Sequence, residues 1–238
     1  MPKPPDPPTP EPRGSDTRAP RTRGPKAARV DTDRILEAAR EVFSSEGLQG
    51  SSIRAIARAA GCDPALIYYH FDSKEAMFRA LLERKLAPLS ADLAALADPA
   101  DERPTPFRLW DVMATYRTHF SCDAGFRSML RGEILRGAEG TREVMAGHIR
   151  RTAGHIWDIL RQGQARGELR TDLHPPLATF FFVRTHMEIL DLIPVMGARV
   201  DLVDRADAVP IAEQAWFHLY WRGVAADPAA PLPPGPWT

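Results

Sequence analysis

The chain has 238 residues, of which 44% are hydrophobic, and its 31 Lys and Arg balance its 31 Asp and Glu. This composition supplies enough apolar surface for a buried core, which excludes a wholly disordered chain. Charge is unevenly distributed, because residues 1–90 hold 15 Lys and Arg against 12 Asp and Glu, whereas residues 91–238 hold 16 against 19. If the protein binds a polyanion, we therefore expect the N-terminal part to face it.

The N-terminal segment 1–25 contains nine of the 23 prolines and almost no large apolar side chain. It cannot bury enough surface to offset the entropy lost on ordering, so we expect a disordered tail. It also lacks the apolar stretch of a secretory signal. Basic residues lie in this tail and just after it, namely Arg18, Arg21, Arg23, Lys26 and Arg29. They form either a DNA-contacting arm or a solvated flank, and the sequence leaves both open.

The first predicted helix begins near Asp31 or Thr32, either of which can cap it, and ends at Gly47. Four apolar residues at three-to-four-residue spacing form its buried face: Ile35, Ala39, Val42 and Phe43.

A short second helix is predicted after Ser51, a candidate N-cap, and it ends at Gly61, where the chain must turn sharply. Its buried face has helical spacing and consists of Ile53, Ile56, Ala57 and Ala60. A third helix restarts at Asp63 and Pro64, because a capping carboxylate followed by proline at the first helical position loses no needed hydrogen bond. Two short helices joined by a tight turn indicate a helix-turn-helix, whose second helix fits the major groove of DNA.

Residues 34–86 resemble the DNA-binding region of the TetR family of bacterial transcriptional regulators. The resemblance is carried by RILEAAREVFSSEG, SSIRAIARAAGCDPALIYYHF and SKEAMFRALLERKL, whereas the rest of the chain is similar only in length and helical character. It implies an all-α fold, with an N-terminal three-helix helix-turn-helix DNA-binding domain at 26–76 and a C-terminal helical ligand-binding and dimerisation domain at 77–226. We expect the Pro-rich tail 227–238 to be disordered.

The resemblance also implies a set of DNA-contacting positions, which are Ser52, Arg54, Pro64, Ala65, Tyr68, Tyr69, His70 and Lys74. Ser52 and Arg54 match positions that meet a phosphate or the groove edge, and Tyr69, His70 and Lys74 match a clamp on the DNA backbone.

The residues nearest the bases depart from the common pattern of the family. Where many relatives carry Ser, Lys, Gly or Thr, this chain has Asp63, Pro64, Ala65 and Leu66, few of which can donate to guanine. Ala65 and Tyr68 are the residues that we expect to reach bases, with thymine-methyl contacts and groove shape contributing to specificity. Arg54 is the best candidate for a polar base contact.

Beyond Leu86 the chain predicts helices separated by Pro and Gly, at Phe107–Phe120, Phe126–Leu135, Thr141–Arg166, Leu177–Val195 and Ala208–Val224. Charged residues follow the apolar run 180–183 within one helix, so we expect no membrane span. The last two helices resemble a family dimer interface, which implies a homodimer on a palindromic operator of double-stranded DNA. Candidate interface or core residues are Leu177, Phe181, Leu192, Trp216, Phe217, Leu219 and Tyr220.

Relatives hold an effector among the central helices of the C-terminal domain, and aromatic and Met side chains suit an apolar small molecule. The candidate pocket residues are Trp110, Met113, Tyr116, His119, Phe120, Phe126, Met129, His148, Trp157 and Arg184, each of which also fits ordinary core packing. Arg184 needs a carboxylate and can pair with Glu188 or receive an anionic effector. His148 and His155 are seven residues apart, too far for the usual metal spacing, so we expect no metal and no cofactor.

The chain lacks the glycine-rich phosphate loop and the hydrolase motifs of common enzyme classes, so we expect no enzymatic activity. Cys62 and Cys122 have no CxxC spacing, which suits a reducing cytoplasm. We interpret the chain as a cytoplasmic repressor that a small-molecule effector of unknown identity releases from its operator. Two alternatives stay open: an effector-independent or activating helix-turn-helix protein, and a helical ligand-binding protein with a vestigial DNA element.

Overall fold

The computed structural model describes residues 25–137, 141–196, 208–229 and 231–237. These residues form nine α-helices and one isolated β-bridge between Leu169 and Ala225, which confirms the all-α prediction. The helices are α1 Pro25–Gly50, α2 Ile53–Ala60, α3 Pro64–His70, α4 Lys74–Leu96, α5 Thr105–Phe120, α6 Ala124–Leu135, α7 Arg142–Ala165, α8 Pro175–Met196 and α9 Ala208–Val224. The predicted bounds of α5 to α9 agree within two residues, because Pro and Gly mark their ends.

Helix α1 begins at Pro25, earlier than predicted, so Asp31 and Thr32 lie inside the helix and do not cap it. Proline suits a first helical position, and the residues that follow favour a helix. Gly47 interrupts the helix with φ 73° and ψ 171°, at the predicted end. Residues 1–24 of the predicted tail 1–25 and the side chains of the basic arm lie outside the described residues, whereas Pro25, the last residue of that tail, is helical.

The helix-turn-helix is built from local caps. Ser52 is the N-cap of α2, since its hydroxyl accepts from the Ala55 amide at 3.1 Å. The prediction of Ser51 as the cap is wrong by one residue, because the buried Ser51 hydroxyl donates to the Leu48 carbonyl instead. Gly61 ends α2 in the left-handed conformation, with φ 61° and ψ 41°, as predicted.

Helix α3 begins as predicted, since the Asp63 carboxylate accepts from the Ala65 amide at 2.7 Å and Pro64 occupies the first turn. Its anchor Ile67 is fully buried, whereas Phe71 is only half-buried. Burying one residue of a seven-residue helix leaves most of α3 facing outward.

Helix α4 connects the helix-turn-helix to the C-terminal helices. Ser73 caps it by accepting from the Ala76 amide at 3.0 Å. Its buried residues recur at three-to-four-residue spacing along the whole helix: Met77, Phe78, Leu81, Leu82, Leu86, Leu89 and Leu93. Because this stripe packs against α1 at one end and against α5 and α7 further along, one hydrophobic core runs through both parts of the protein.

Helix α6 also packs against α1. The Ser44 hydroxyl donates to the Gly125 carbonyl at 2.9 Å, and the buried Glu133 carboxylate accepts from the Leu48 amide at 2.9 Å. At the start of α6, Asp123 caps the Phe126 amide and pairs with Lys85 at 2.9 Å. Burial raises the pKa of Asp123, but the bonds from Lys85 and the Phe126 amide outweigh it and hold the pKa below its usual value.

The C-terminal segment differs from the expected disordered tail. Trp237 is only 1% exposed, and its ring lies 4.8 Å from Phe107, 5.4 Å from Phe217 and 5.9 Å from Trp110, measured between centroids. The His218 Nε2 atom lies 3.2 Å from the Trp237 carbonyl oxygen. Overall proline content predicted disorder, but one large aromatic side chain near the end is enough to anchor the segment.

We predict that Trp237→Ala lowers the free energy of unfolding by about 2–3 kcal/mol. This is less than the ~3–5 kcal/mol of an internal Trp→Ala change, because the end of the chain can detach locally. Urea unfolding followed by circular dichroism measures the change. Pro236→Ala is the matched control, since Pro236 is exposed in the same segment. Equal stability of the wild type and both variants would show that the segment is not anchored.

Candidate DNA-binding surface and effector cavity

The predicted DNA-contacting residues of α2 and α3 lie mostly on the outer surface. Tyr69 is 80% exposed and Tyr68 is 60% exposed, so both rings are largely in contact with solvent. Ser52, Arg54 and Ala65 are also exposed, while Pro64 is half-buried at the start of α3. The core does not need these aromatic rings, so they are available to a partner.

His70 and Lys74 are held by the protein itself. The His70 ring contacts the edge of Tyr69, and its Nδ1 atom lies 3.2 Å from the Thr32 hydroxyl. The Lys74 ammonium donates to the carbonyls of Gln49 at 3.1 Å and Ser51 at 3.2 Å. Lys74 therefore lies beside the turn that carries Ser52. Because an ammonium has three donors, these two bonds leave one for a phosphate.

Arg58 is a basic residue that the sequence analysis did not select. It is exposed and lies four residues after Arg54 on α2, so the two guanidinium groups share a face of this helix. The four-residue spacing of the two arginines was the signal that could have identified it.

A cavity of about 380 Å³ lies among α5, α6, α7 and α8. Its volume falls within the range of small-molecule sites. Of the ten predicted pocket residues, four line it: Tyr116, Phe120, Trp157 and Arg184. The wall also includes residues that sequence analysis missed, among them Arg127, Leu130, Arg131, Ile134, Ile149, Thr152, Val183, Met187 and Asp191.

The other six predicted pocket residues lie outside this cavity because their helix faces turn towards other neighbours. Met113, Phe126 and Met129 are fully buried in the core. The remaining three make contacts with other elements: Trp110 stacks edge-on against Phe217, His119 pairs with Asp92, and His148 lies close to Arg151 and Glu83.

The polar part of the cavity wall is a cluster of arginines and carboxylates. Arg127 is only 8% exposed and its Nε atom donates to Asp191 at 2.5 Å, while Arg131 approaches the other oxygen of Asp191 at 3.4 Å. Arg184 pairs with Glu188 one turn along α8, as predicted. We call Arg127, Arg131 and Asp191 the head cluster.

Arg127 also connects three helices. Its guanidinium donates to the carbonyls of Phe120 and Ser121 at the end of α5, and to the Leu190 carbonyl of α8 at 3.4 Å. Since Arg127 itself belongs to α6, it holds α5, α6 and α8 together at one end of the cavity.

Helices α8 and α9 carry a group of exposed apolar side chains. The large ones are Leu177, Phe180, Phe181, Leu192, Val195 and Leu219, each between 48% and 75% exposed. Of the seven predicted interface or core residues, Leu177, Phe181, Leu192 and Leu219 are therefore on the surface. Phe217 is buried, whereas Trp216 and Tyr220 are half-buried against Phe182.

The described part of the chain contains neither a membrane-spanning helix nor a cluster of metal-binding side chains. None of its helices combines the length and the apolar character needed to cross a membrane. Within the same residues, His, Cys, Asp and Glu form no group of three that could hold a metal ion.

Comparison with known proteins places the chain among bacterial regulators. The family model of bacterial regulatory proteins, tetR family, matches residues 35–81. The transcriptional repressor NicS of Pseudomonas putida is 32% identical over 160 residues, which are 64% of this chain and 73% of that protein. The transcriptional regulator UidR of Escherichia coli is 26% identical over 185 residues, which are 76% of this chain and 86% of that protein.

Solved structures have the same fold. The transcriptional regulator FadR from Bacillus subtilis, in complex with stearoyl-CoA, matches with a TM-score of 0.64 and 21% identity, covering 80% of this chain and 98% of FadR. The matched helix-turn-helix, the all-α fold and the identity with NicS over most of its length agree with one another. The chain therefore belongs to the TetR family of bacterial regulatory proteins.

Proposed function

We propose that a homodimer of this protein represses transcription by binding a palindromic operator in the cytoplasm, and that a small molecule in the cavity releases it. The observation that supports this proposal is the position of α6, which lines the cavity and also packs against α1 of the DNA-binding domain. The relatives are transcriptional regulators, and we propose no catalytic activity for this chain. The DNA-binding domain corresponds to residues 26–76 and the effector and dimerisation domain to 77–226.

Helix α6 has two different faces. Arg127, Leu130, Arg131 and Ile134 line the cavity, whereas Glu133 accepts from the Leu48 amide beside the kink at Gly47 of α1. A ligand that shifts α6 changes the support of α1 and so the position of α2 and α3. Regulation requires only that the ligand and the operator favour different arrangements of these helices.

The exposed apolar face of α8 and α9 supports dimerisation. Apolar patches of this kind mark interaction surfaces, and an isologous interface repeats the same patch on both subunits. Two-fold symmetry would place two copies of α3 on two half-sites of a palindrome. We propose that Leu177, Phe181, Leu192 and Leu219 lie in this interface.

On the DNA side, we propose that Ser52, Tyr69, His70 and Lys74 contact the backbone, and that Pro64, Ala65 and Tyr68 lie against base edges. Arg54 is the main candidate for a polar base contact. Since the side chains of Pro64 and Ala65 carry no hydrogen-bond donor, groove shape and contacts with thymine methyl groups contribute much of the sequence recognition.

A small-molecule effector is consistent with the volume of the cavity and with the ligand in a structural relative. FadR from Bacillus subtilis was solved with stearoyl-CoA bound. We propose that this chain is likewise regulated by a small molecule, held by the walls that include Tyr116, Phe120, Trp157 and Arg184.

The first prediction from the proposed function concerns the operator. Selection of bound duplexes from a random pool, at a stated salt concentration, should enrich a palindrome with half-sites about one helical turn or more apart. Affinity for that palindrome should fall steeply with added salt, because phosphate contacts release counterions. A folded dimer that enriches no sequence would contradict the proposed function and favour a vestigial DNA element.

The second prediction concerns the DNA-contacting side chains. Tyr69→Ala should weaken operator binding about tenfold, the cost of about one hydrogen bond to a phosphate. Arg54→Ala should weaken binding and reduce the slope of log affinity against log salt by about one. Arg150→Ala removes an equal charge from an exposed position on α7 and is the control. Titrations by fluorescence anisotropy measure the operator affinity of all three variants. If Tyr69→Ala and Arg54→Ala bind as tightly as Arg150→Ala, the assigned DNA-binding surface is wrong.

The third prediction concerns the dimer. Leu219→Asp places a charge on the exposed apolar face of α9, so analytical ultracentrifugation should detect monomers and operator affinity should fall at least tenfold. Leu135→Asp changes an equally exposed leucine at the end of α6 and should leave the dimer intact. If Leu219→Asp remains dimeric at micromolar concentration, the α8 and α9 surface is not the interface.

A further inference from the structure

We infer that the effector is an amphipathic monoanion whose carboxylate binds at the head cluster in competition with Asp191, while its apolar chain fills the cavity. This inference rests on the proposed function in taking the cavity among α5, α6, α7 and α8 as the effector site. It adds the chemical class of the ligand and the residues that select it.

The charge of the cavity wall favours an anion. Three guanidinium groups, those of Arg127, Arg131 and Arg184, and one carboxylate, that of Asp191, line the cavity, and Arg184 also pairs with Glu188, which does not line it. One positive charge is left over. Since the side chains of Arg131 and Arg184 are 41% and 45% exposed, this surplus charge lies where water and a ligand reach it, and one anionic head group balances it. A cationic ligand would meet the excess positive charge and would be repelled.

The arrangement of the head cluster favours a carboxylate. Asp191 occupies the place between two guanidinium groups, with one oxygen 2.5 Å from Arg127 and the other 3.4 Å from Arg131. The second contact is long, and the Arg131 side chain is 41% exposed. Arg131 therefore has donors to spare for a second planar acceptor, which a guanidinium binds well through two parallel bonds. The protein's own carboxylate marks the geometry that a ligand carboxylate would adopt.

The rest of the cavity selects an apolar chain of limited length. Phe120, Trp157, Val183 and Met187 contribute apolar surface, and Tyr116 is buried beside them. A cavity of about 380 Å³ lies at the small end of the range of small-molecule sites, which favours a ligand of modest size. A ten-carbon fatty acid, decanoic acid, is such a ligand, so we use decanoate as the probe.

Binding at the head cluster has a route to the DNA-binding domain. Arg127 holds α6 against the end of α5 and against α8 through Asp191 and the Leu190 carbonyl. A ligand carboxylate that takes the place of Asp191 removes one connection between α6 and α8. Helix α6 can then shift, and its contact with Leu48 transfers the shift to α1.

The test compares three probes of equal chain length on the full-length protein: decanoate, 1-decanol and decanoyl-CoA, all below the concentrations at which they form micelles. Binding is followed by tryptophan fluorescence, since Trp157 lines the cavity, and by isothermal calorimetry. Wild-type protein should bind decanoate at least tenfold more tightly than decanol. Equal affinity for decanol would overturn the inference, and so would binding of decanoyl-CoA without binding of decanoate.

Two substitutions in the head cluster should change the affinity for decanoate in opposite directions. Arg131→Gln should weaken the binding of decanoate at least fivefold and leave the affinity for decanol unchanged. Asp191→Asn removes the competing carboxylate and should strengthen decanoate binding, again without effect on decanol. If Asp191 had a purely structural role, Asp191→Asn would weaken the binding of both decanoate and decanol. That result would overturn the inference. Arg150→Gln, on the outer surface of α7, is the control and should bind both probes like the wild type.

The same probes added to the operator complex separate this inference from the proposed function. Decanoate could bind with the expected dependence on Arg131 and Asp191 and yet not release DNA. That result would support the inferred ligand class and contradict the release of the operator by ligands of this class. If no operator is found, the proposed function fails while the binding data still decide the ligand class. Release of DNA by decanol as readily as by decanoate would overturn the inference and leave the proposed function intact.

Discussion

A buried carboxylate adds a polar connection between the two parts of the protein to the hydrophobic core that α4 carries through both. Glu133 of α6 is only 2% exposed, and it accepts the Leu48 amide just after the kink at Gly47. This amide is free for the bond because the positive φ of Gly47 breaks the regular helix there. The Arg136 guanidinium lies against the same carboxylate and over Gly47, where a Cβ atom would come within 2.6 Å of it. A buried anion without these donors would be strongly destabilising, so the contact fixes α6 to α1.

The spacing of residues along α6 explains why the contact of Glu133 with α1 can respond to a ligand bound at the cavity face of the same helix. Phe126, Met129 and Glu133 recur at three and four residues and face α1 and the core, whereas Arg127, Leu130, Arg131 and Ile134 recur at the same spacing towards the cavity. A short helix is a stiff body, so it moves as a unit. A displacement of α6 at Arg127 would therefore also move Glu133, which lies on the same helix.

Local signals made the helix-turn-helix predictable, because caps and turns depend on neighbouring residues. Gly61, Asp63 and Pro64 specify the turn and the start of α3 without help from the rest of the chain. The one-residue error at the cap of α2 has the same origin, since Ser51 and Ser52 are both competent and only the long-range burial of Ser51 decides between them.

The cavity could not be predicted in the same way, because its wall is formed by four helices that are distant in sequence. Met113 and Met129 look like pocket residues in the sequence, yet packing buries both in the core. Arg127 and Arg131 look like the solvated face of an amphipathic helix, and only the position of Asp191 on α8 identifies them as part of a cavity. Of the three arginines in the wall, only Arg184 could be selected from the sequence, because it follows an apolar run and its partner Glu188 lies one turn along the same helix. A charge whose partner lies 64 residues away can be recognised only once the fold brings the two together.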